Sequence, residues 1–366
     1  MELLKLFGDK KTKKDAEKKG RNNNNVKGGE EKRPASAQSS SGLSLDEHDE
    51  GYPTYVRTLE NFIFATEKLG IEGLTRQYRK LDAHVDTSMT CDAFKQNVLK
   101  NRYSDVVCRD NSRVRLTIDA SAHGDYIHAN YVKSQYLANT FICTQGPLPH
   151  TVNDFWRMVF QERAQSILML CRVIEEGRSK CVTYWPEAGK DEQYGCIRVR
   201  NTGETTDEAN CFEVLDLMVS LVPDNVATAS ELPADKSPLI VTLIKWPNWP
   251  DRGVPDEKCH SVPQNLLARV RHGPCVVHCS AGIGRTGCVV ALEFAYRKLN
   301  RGVKVDFEEI AMELRKQRAQ CIQTEIQYLY IHRVLMAFAR GENGISEKAT
   351  AAADAFLKSY DHHLKC

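Results

Sequence analysis

The chain has 366 residues, 42% of them hydrophobic, with a formal net charge of +2. That leaves room for one large domain or two small ones with a sizeable core. The near-neutral balance argues against a dedicated nucleic-acid binder, and no run of about 18 apolar residues offers a transmembrane segment.

The N-terminus, MELLKLFGDKK, is too charged and too short in its apolar part for a signal peptide. Residues 1–50 read as a disordered tail. Its basic first half (Lys10, Lys11, Lys13, Lys14, Lys18, Lys19, Arg21) is followed by an asparagine run and a serine-rich stretch. Leu3, Leu4, Leu6 and Phe7 form at most one amphipathic turn. A frayed terminus is the favoured reading, ahead of a contact with a partner or an acidic membrane surface and ahead of a nuclear address. The thirteen cysteines show no CxxC pair, and Cys143, Cys171, Cys181 and Cys275 stand in apolar surroundings. Reduced thiols in a cytoplasmic protein are expected from that usage.

Structure is expected from Pro53. Leu59 to Leu81 carries apolar residues at helical spacing, interrupted around Gly70 to Gly73, which predicts two short helices. Phe141 to Trp156 reads as a strand, a Gly-Pro turn and a helix entered near Thr151. Ser166 to Leu170 is a buried strand of the parallel-sheet type. Tyr194 to Val222 alternates short apolar segments with charged turns, as antiparallel strands do. Pro238 to Trp246 is a further strand, ending in WPNWPDRGVP.

The organising stretch is VHCSAGIGRTG, Val277 to Gly287. Pro274 to Val277 predicts a short buried strand ending at His278, and Cys288 to Leu299 a helix. Cys279 to Arg285 would be the loop between them, with backbone N–H groups converging at a helix N-terminus that favours negative charge. Gly282, Gly284 and the small Ser280 and Ala281 allow a tight wrap around Ile283. Arg285 adds a planar fork suited to two phosphate oxygens. Such surroundings lower a thiol pKa from about 8.5, so Cys279 would be a nucleophilic thiolate at the base of a phosphate cradle. Beyond Arg340 an Ala-rich segment, residues 341–366, has the composition of a helix.

The run from His278 to Gly287 resembles the signature of the cysteine-dependent protein tyrosine phosphatases, in the form used by their tyrosine-specific, non-receptor members. KNRYSDV resembles that family's substrate-recognition loop, DYIHANYV its D-Y-I-N-A-N motif with His128 in place of asparagine, and EEGRSKCVTYWP its E-x-G-x-x-K-C-x-x-Y-W-P. WPDRGVP resembles the mobile acid loop, and ELRKQRAQCIQTEIQYLY, Glu313 to Tyr330, the R-x-Q-R…I-Q-T-x-x-Q-Y motif. The resemblance spans residues 53–340 and implies an α/β fold, a twisted mixed sheet, mostly parallel, flanked by helices on both faces.

It also implies hydrolysis of phosphotyrosine in proteins through a phosphocysteine, with no metal and no cofactor. In these roles Cys279 attacks phosphorus, while Arg285 and the loop from Ser280 to Gly284 bind its oxygens. Asp251 is the general acid and then the base, and Thr286 and His278 tune the thiolate. Tyr103 walls a pocket deep enough to exclude phosphoserine, and Asp105 accepts from the substrate backbone. Glu175 holds Arg285, and Lys180 lies near the acid loop. Gln323 positions water and Gln327 helps bind phosphate; if helical, the two share one face. His128 is expected to be packed and hydrogen-bonded. Ser104 stands where some members carry a basic residue, which weakens any preference for acidic flanking sequence. The competing reading is a phosphotyrosine-binding module with little turnover. A lipid or RNA phosphatase fits less well, because the NRYSDV loop speaks for a narrow pocket.

Overall fold

The computed structural model describes residues 53–256, 259 and 261–365; the readings made for the N-terminal tail lie outside them. The helices are α1 (Thr54–Asp82), α2 (Asp92–Gln96), α3 (Ala120–His123), α4 (Val152–Gln161), α5 (Val262–Ala268), α6 (Arg285–Asn300), α7 (Phe307–Gln317), α8 (Glu325–Gly341) and α9 (Glu347–His363). Helix α1 is two helical segments joined across Gly70, whose φ of 59° and ψ of −177° interrupt the turn as its sequence leads one to expect. The Ala-rich segment forms α9. The Ser346 side chain caps it by accepting from Ala349 N, and Ala349, Ala353, Phe356 and Tyr360 line the buried stripe that faces α1 and α8.

The strands are β1 (Arg113–Arg115), β2 (Tyr126–Val132), β3 (Phe141–Thr144), β4 (Ser166–Met169), β5 (Ile174–Glu175), β6 (Arg178–Ser179), β7 (Asp191–Tyr194), β8 (Ile197–Asp207), β9 (Phe212–Leu221), β10 (Leu239–Lys245) and β11 (Cys275–His278). Nine of them form one sheet in the order β1-β2-β3-β11-β4-β10-β9-β8-β7, while β5 and β6 make a separate hairpin. The sheet is mixed and flanked by helices, but it is not mostly parallel. Only β3–β11, β11–β4 and β4–β10 pair in parallel, and the outer five pairings are antiparallel. The reason is visible in the sequence. FICT, SILM and CVVH are short runs buried at every position, as strands covered on both faces must be. Strands β8 and β9 instead carry alternating buried and exposed residues and are joined by a short turn, which can only make an antiparallel pair.

Strand β11 therefore lies mid-sheet between β3 and β4, and the chain passes from its carboxyl end through a six-residue loop, 279–284, into α6. In sheets of this kind that edge is where ligands bind. No helix among the described residues is long and apolar enough to cross a membrane.

Candidate active site

The loop after β11 is wrapped around its own sulfur. Gly282 N donates to Cys279 Sγ at 3.3 Å. Two features enforce the wrap. Gly282 has a φ of 72°, and a Cβ there would come within 2.0 Å of Thr144 O. On the outer side, Arg318 Nη2 donates to Ala281 O at 2.9 Å and its Nε to Gly282 O at 3.0 Å. With those carbonyls turned outward, the amides face inward. Helix α6 begins at Arg285, three residues earlier than the apolar run implies, so Arg285 is the first helical residue and Gly284 the cap. The loop's amides thus continue directly into the helix N-terminus. Burial pushes the Cys279 thiol up, but the Arg285 charge, the hydroxyl and amide of Thr286 and the Gly282 amide outweigh it, and its pKa falls below that of an ordinary thiol. Thr286 Oγ1 is buried and has no other hydrogen-bond partner among the described residues.

His278 does not touch the sulfur. Its Nδ1 lies 3.1 Å from Cys279 O, and its Nε2 2.8 Å from Tyr184 Oη. A carbonyl only accepts, so Nδ1 carries the proton and Nε2 accepts from the tyrosine. Burial lowers this pKa to about 4, so the ring is neutral and orients the Cys279 backbone instead of charging the thiolate. His128 behaves as expected of a packed residue. Its Nε2 donates to Val106 O at 2.8 Å, leaving Nδ1 to accept from Arg318 Nη1 at 3.2 Å. An asparagine would likewise present a donor group and an acceptor group.

Arg285 is held by Glu175 through both oxygens, at 2.6 and 2.9 Å. It also donates to Trp249 O at 2.9 Å and to Asp251 Oδ1 at 3.0 Å. Lys180 Nζ reaches the other carboxylate oxygen, Oδ2, at 2.5 Å. The acid loop is thus folded over the cleft, with Trp249 buried against Trp246 and Tyr330. A protonated Asp251 is not what this arrangement holds. Burial raises its pKa, yet the Lys180 hydrogen bond and the charges of Arg285, Lys180 and Arg252 outweigh burial and hold it below the usual carboxylate value.

These groups line a cleft of about 380 Å³. Tyr103 forms one wall, packed with Val106, Ala281 and Ile283. Tyr103 Oη lies 2.8 Å from Ser280 Oγ, which itself donates to Lys180 O at 3.0 Å. Asp105 lies at the rim with its carboxylate exposed. Gln323 precedes α8 and so does not share a helical face with Gln327. The two meet instead through Gln323 N and Gln327 Oε1, at 3.2 Å. The Gln327 Nε2 donor, buried and unpartnered, lies beside Gly284, where a Cβ would be only 3.0 Å away.

The residues expected at the site converge, with His278, Thr286 and Glu175 behind the surface that substrate would meet. Sequence reasoning missed Arg318, which shapes the loop from the far side. It stands in the KQRAQC stretch, whose motif was visible without revealing this contact. It also missed Arg102, whose guanidinium binds Gly146 O, Pro147 O and Ser179 O and fastens the NRYSDV loop to its neighbours.

A family model described as protein-tyrosine phosphatase matches residues 97–337. Receptor-type tyrosine-protein phosphatase F of Danio rerio is 36% identical over 276 residues, covering 72% of this chain and 13% of that protein. Receptor-type tyrosine-protein phosphatase zeta of Homo sapiens is 33% identical over 326 residues, covering 86% of this chain and 13% of that protein. The chain thus spans a small part of the curated relatives it matches. A solved structure of PTPN18 with HER2 phospho-peptides superposes with a TM-score of 0.66 at 29% identity, covering 78% of this chain and 98% of that one. The wrapped cysteine loop, its paired arginine and the aspartate folded over both agree with these matches: the chain belongs to the protein-tyrosine phosphatase family.

Proposed function

We propose that the chain hydrolyses phosphotyrosine in proteins in two displacements. The convergence of Cys279, Arg285 and Asp251 on one cleft carries this reading. The Cys279 thiolate attacks phosphorus in line as the bond to the tyrosine oxygen breaks. Arg285 and the loop amides take the equatorial oxygens, where the negative charge is spread. The phenolate leaving group, with a pKa near ~10, needs a proton, and Asp251 supplies it. In the free cleft Asp251 is ionised. A phosphate dianion draws Arg285 away from it and adds negative charge beside it, and both effects raise the carboxyl pKa towards protonation. In the second displacement Gln323 orients water, Asp251 takes its proton, and the Cys279 thiolate leaves the phosphate. The Thr286 hydroxyl stabilises that thiolate in both steps.

Tyr103 stacks on the substrate ring and sets the depth of the pocket; Asp105 accepts from the substrate backbone; Gln327 Nε2 donates to phosphate or water. The site makes no use of a metal or cofactor in this scheme. The substrates are phosphotyrosine proteins, and a cytoplasmic, non-receptor setting belongs to the same proposal. The test is hydrolysis of a phosphotyrosine peptide beside its phosphoserine counterpart, by wild type, Cys279→Ser and Asp251→Ala. Turnover of phosphotyrosine alone, lost in the first variant and strongly reduced in the second, is expected. Tight binding without turnover by the wild type would sink it in favour of a binding module.

A further inference from the structure

We propose that Thr324 is a positioning residue that latches the acid loop to the helix carrying Gln327, and so keeps Asp251 in place through both displacements. Its hydroxyl makes two bonds at once. Oγ1 accepts from Gln327 N at 3.3 Å, capping α8. The same oxygen donates its proton to Arg252 O at 3.2 Å. Arg252 immediately follows Asp251 and holds a left-handed backbone, φ 56°. A non-glycine residue takes that conformation at a cost, so it persists where surrounding contacts enforce it.

The bonds to Asp251 and Trp249 that hold the loop over the cleft are of a different kind, while Arg172 fastens only the start of the loop, at Pro247 O and Asn248 Oδ1. Asp251 is tied to Arg285 and Lys180 by charge. Trp249 O is tied to Arg285. Each relies on a group the reaction takes over: Arg285 turns to the phosphate, and Asp251 must lose its charge to act as an acid. The Thr324–Arg252 bond joins a neutral hydroxyl to a backbone carbonyl. Neither partner titrates and neither is needed by the substrate, so this link survives when the ionic ones are given up. It also joins the proton donor's loop to the segment bearing Gln323 and Gln327. Tyr78 Oη secures that segment from behind by donating to Gln323 O at 2.6 Å.

This inference rests on the proposed phosphatase reaction, and its test separates the two. Thr324→Asp keeps the cap, since a carboxylate is a good N-cap acceptor, but has no proton for Arg252 O. Thr324→Val loses both bonds, and Thr324→Ser keeps both. Phenyl phosphate and p-nitrophenyl phosphate serve as substrates, because the second has the better leaving group and needs less help from an acid. Expected in Thr324→Asp is a wild-type melting temperature with kcat/KM on phenyl phosphate reduced about fivefold, the scale of one neutral hydrogen bond. The loss on p-nitrophenyl phosphate should be smaller. Thr324→Val shows the same kcat/KM pattern with a lowered melting temperature, and Thr324→Ser restores both. Both substrates are measured at high salt, which screens any effect of the new charge on phosphate binding.

Equal losses of kcat/KM on both substrates, or unchanged kcat/KM on phenyl phosphate in Thr324→Asp, overturns the latch. A second readout needs no turnover. Vanadate, an oxyanion that fits the cradle, is titrated while Trp249 emission is followed against a Trp249→Phe control. The response of Thr324→Asp should be reduced relative to wild type, and an identical response overturns the latch. A wild type that responds to vanadate but hydrolyses neither ester defeats the phosphatase reading, while the emission comparison still decides the latch.

Discussion

Two loops meet over Cys279, and they are secured in opposite ways. The phosphate loop is held from outside by bonds that no substrate touches. Arg318 takes the carbonyls of Ala281 and Gly282, Ile322 N donates to Ile283 O at 2.9 Å, and Gly146 N donates to Ser280 O at 2.9 Å. The acid loop is held at Trp249 and Asp251 by Arg285 and Lys180, whose charges face the cleft itself. The difference separates two catalytic needs. A cradle for developing charge works best when its dipoles are already aimed and need no rearrangement. A proton donor must approach, give up its proton and move away for product to leave, so its charged anchors are ones that substrate can displace, and the neutral bond from Thr324 is weak enough to open for release.

The sharpest break in that comparison is loss of the nucleophile. Cys279→Ser keeps the cradle but removes the thiolate, and kcat on a phosphotyrosine peptide should fall by at least about 10⁴-fold, with peptide binding retained by calorimetry. Next is Asp251→Asn, which leaves the cradle untouched. Loss of general acid catalysis is worth about 10²–10⁴-fold, and here it should fall on kcat measured by steady-state hydrolysis of the same peptide. If Asp251→Asn proved as severe as Cys279→Ser, with peptide binding lost as well, the two loops would not be separately anchored.

Gly282→Ala attacks the rigid loop through its backbone. The left-handed φ and the 2.0 Å approach to Thr144 O leave no place for a methyl group. A loss of stability of about 1–3 kcal/mol is expected from thermal unfolding, together with a large fall in activity. By contrast, alanine at the exposed Arg252, in the acid loop, should leave the melting temperature within about a degree, since surface changes are usually within ±0.5 kcal/mol.

The smallest effect is a shift in pH dependence. Lys180 lowers the Asp251 pKa, so Lys180→Ala should raise it. In the proposed reaction Asp251 acts as an acid only while protonated, and a higher pKa keeps it protonated to higher pH. The basic limb of kcat/KM should therefore move upward, while the acidic limb, set by ionisation of the Cys279 thiol, stays in place. A basic limb that moves downward contradicts the charge link.

Much of the site was legible because its central parts are contiguous. A strand, a glycine-containing turn and a helix start occupy consecutive residues from Cys275 onward, and backbone rules alone bring their amides to one point. The same holds for the Gly70 break, the Thr151 helix entry and the strand of Ser166–Met169, each a local pattern that the structure reproduces. The sequence overstates the parallel character of the sheet because its buried centre has the stronger sequence pattern, whereas its outer strands are set by hairpin pairing. Helix α6 begins earlier than its apolar run because Arg285 is polar and yet almost wholly buried, its charge balanced by Glu175.

What the amino-acid sequence determined by itself was the cysteine cradle and the order of the elements around it, because these depend on bonds between near neighbours. The tertiary structure decided the charges and the supports. Glu175 meets Arg285 across 110 residues, and Arg318 reaches Gly282 across 36. No local rule sets those distances. Asp251 is ionised rather than protonated because Lys180 and Arg285 are packed beside it, and His278 is neutral because it is buried. Protonation answers to whatever charges and solvent surround a group in space, and only the folded chain specifies that surrounding.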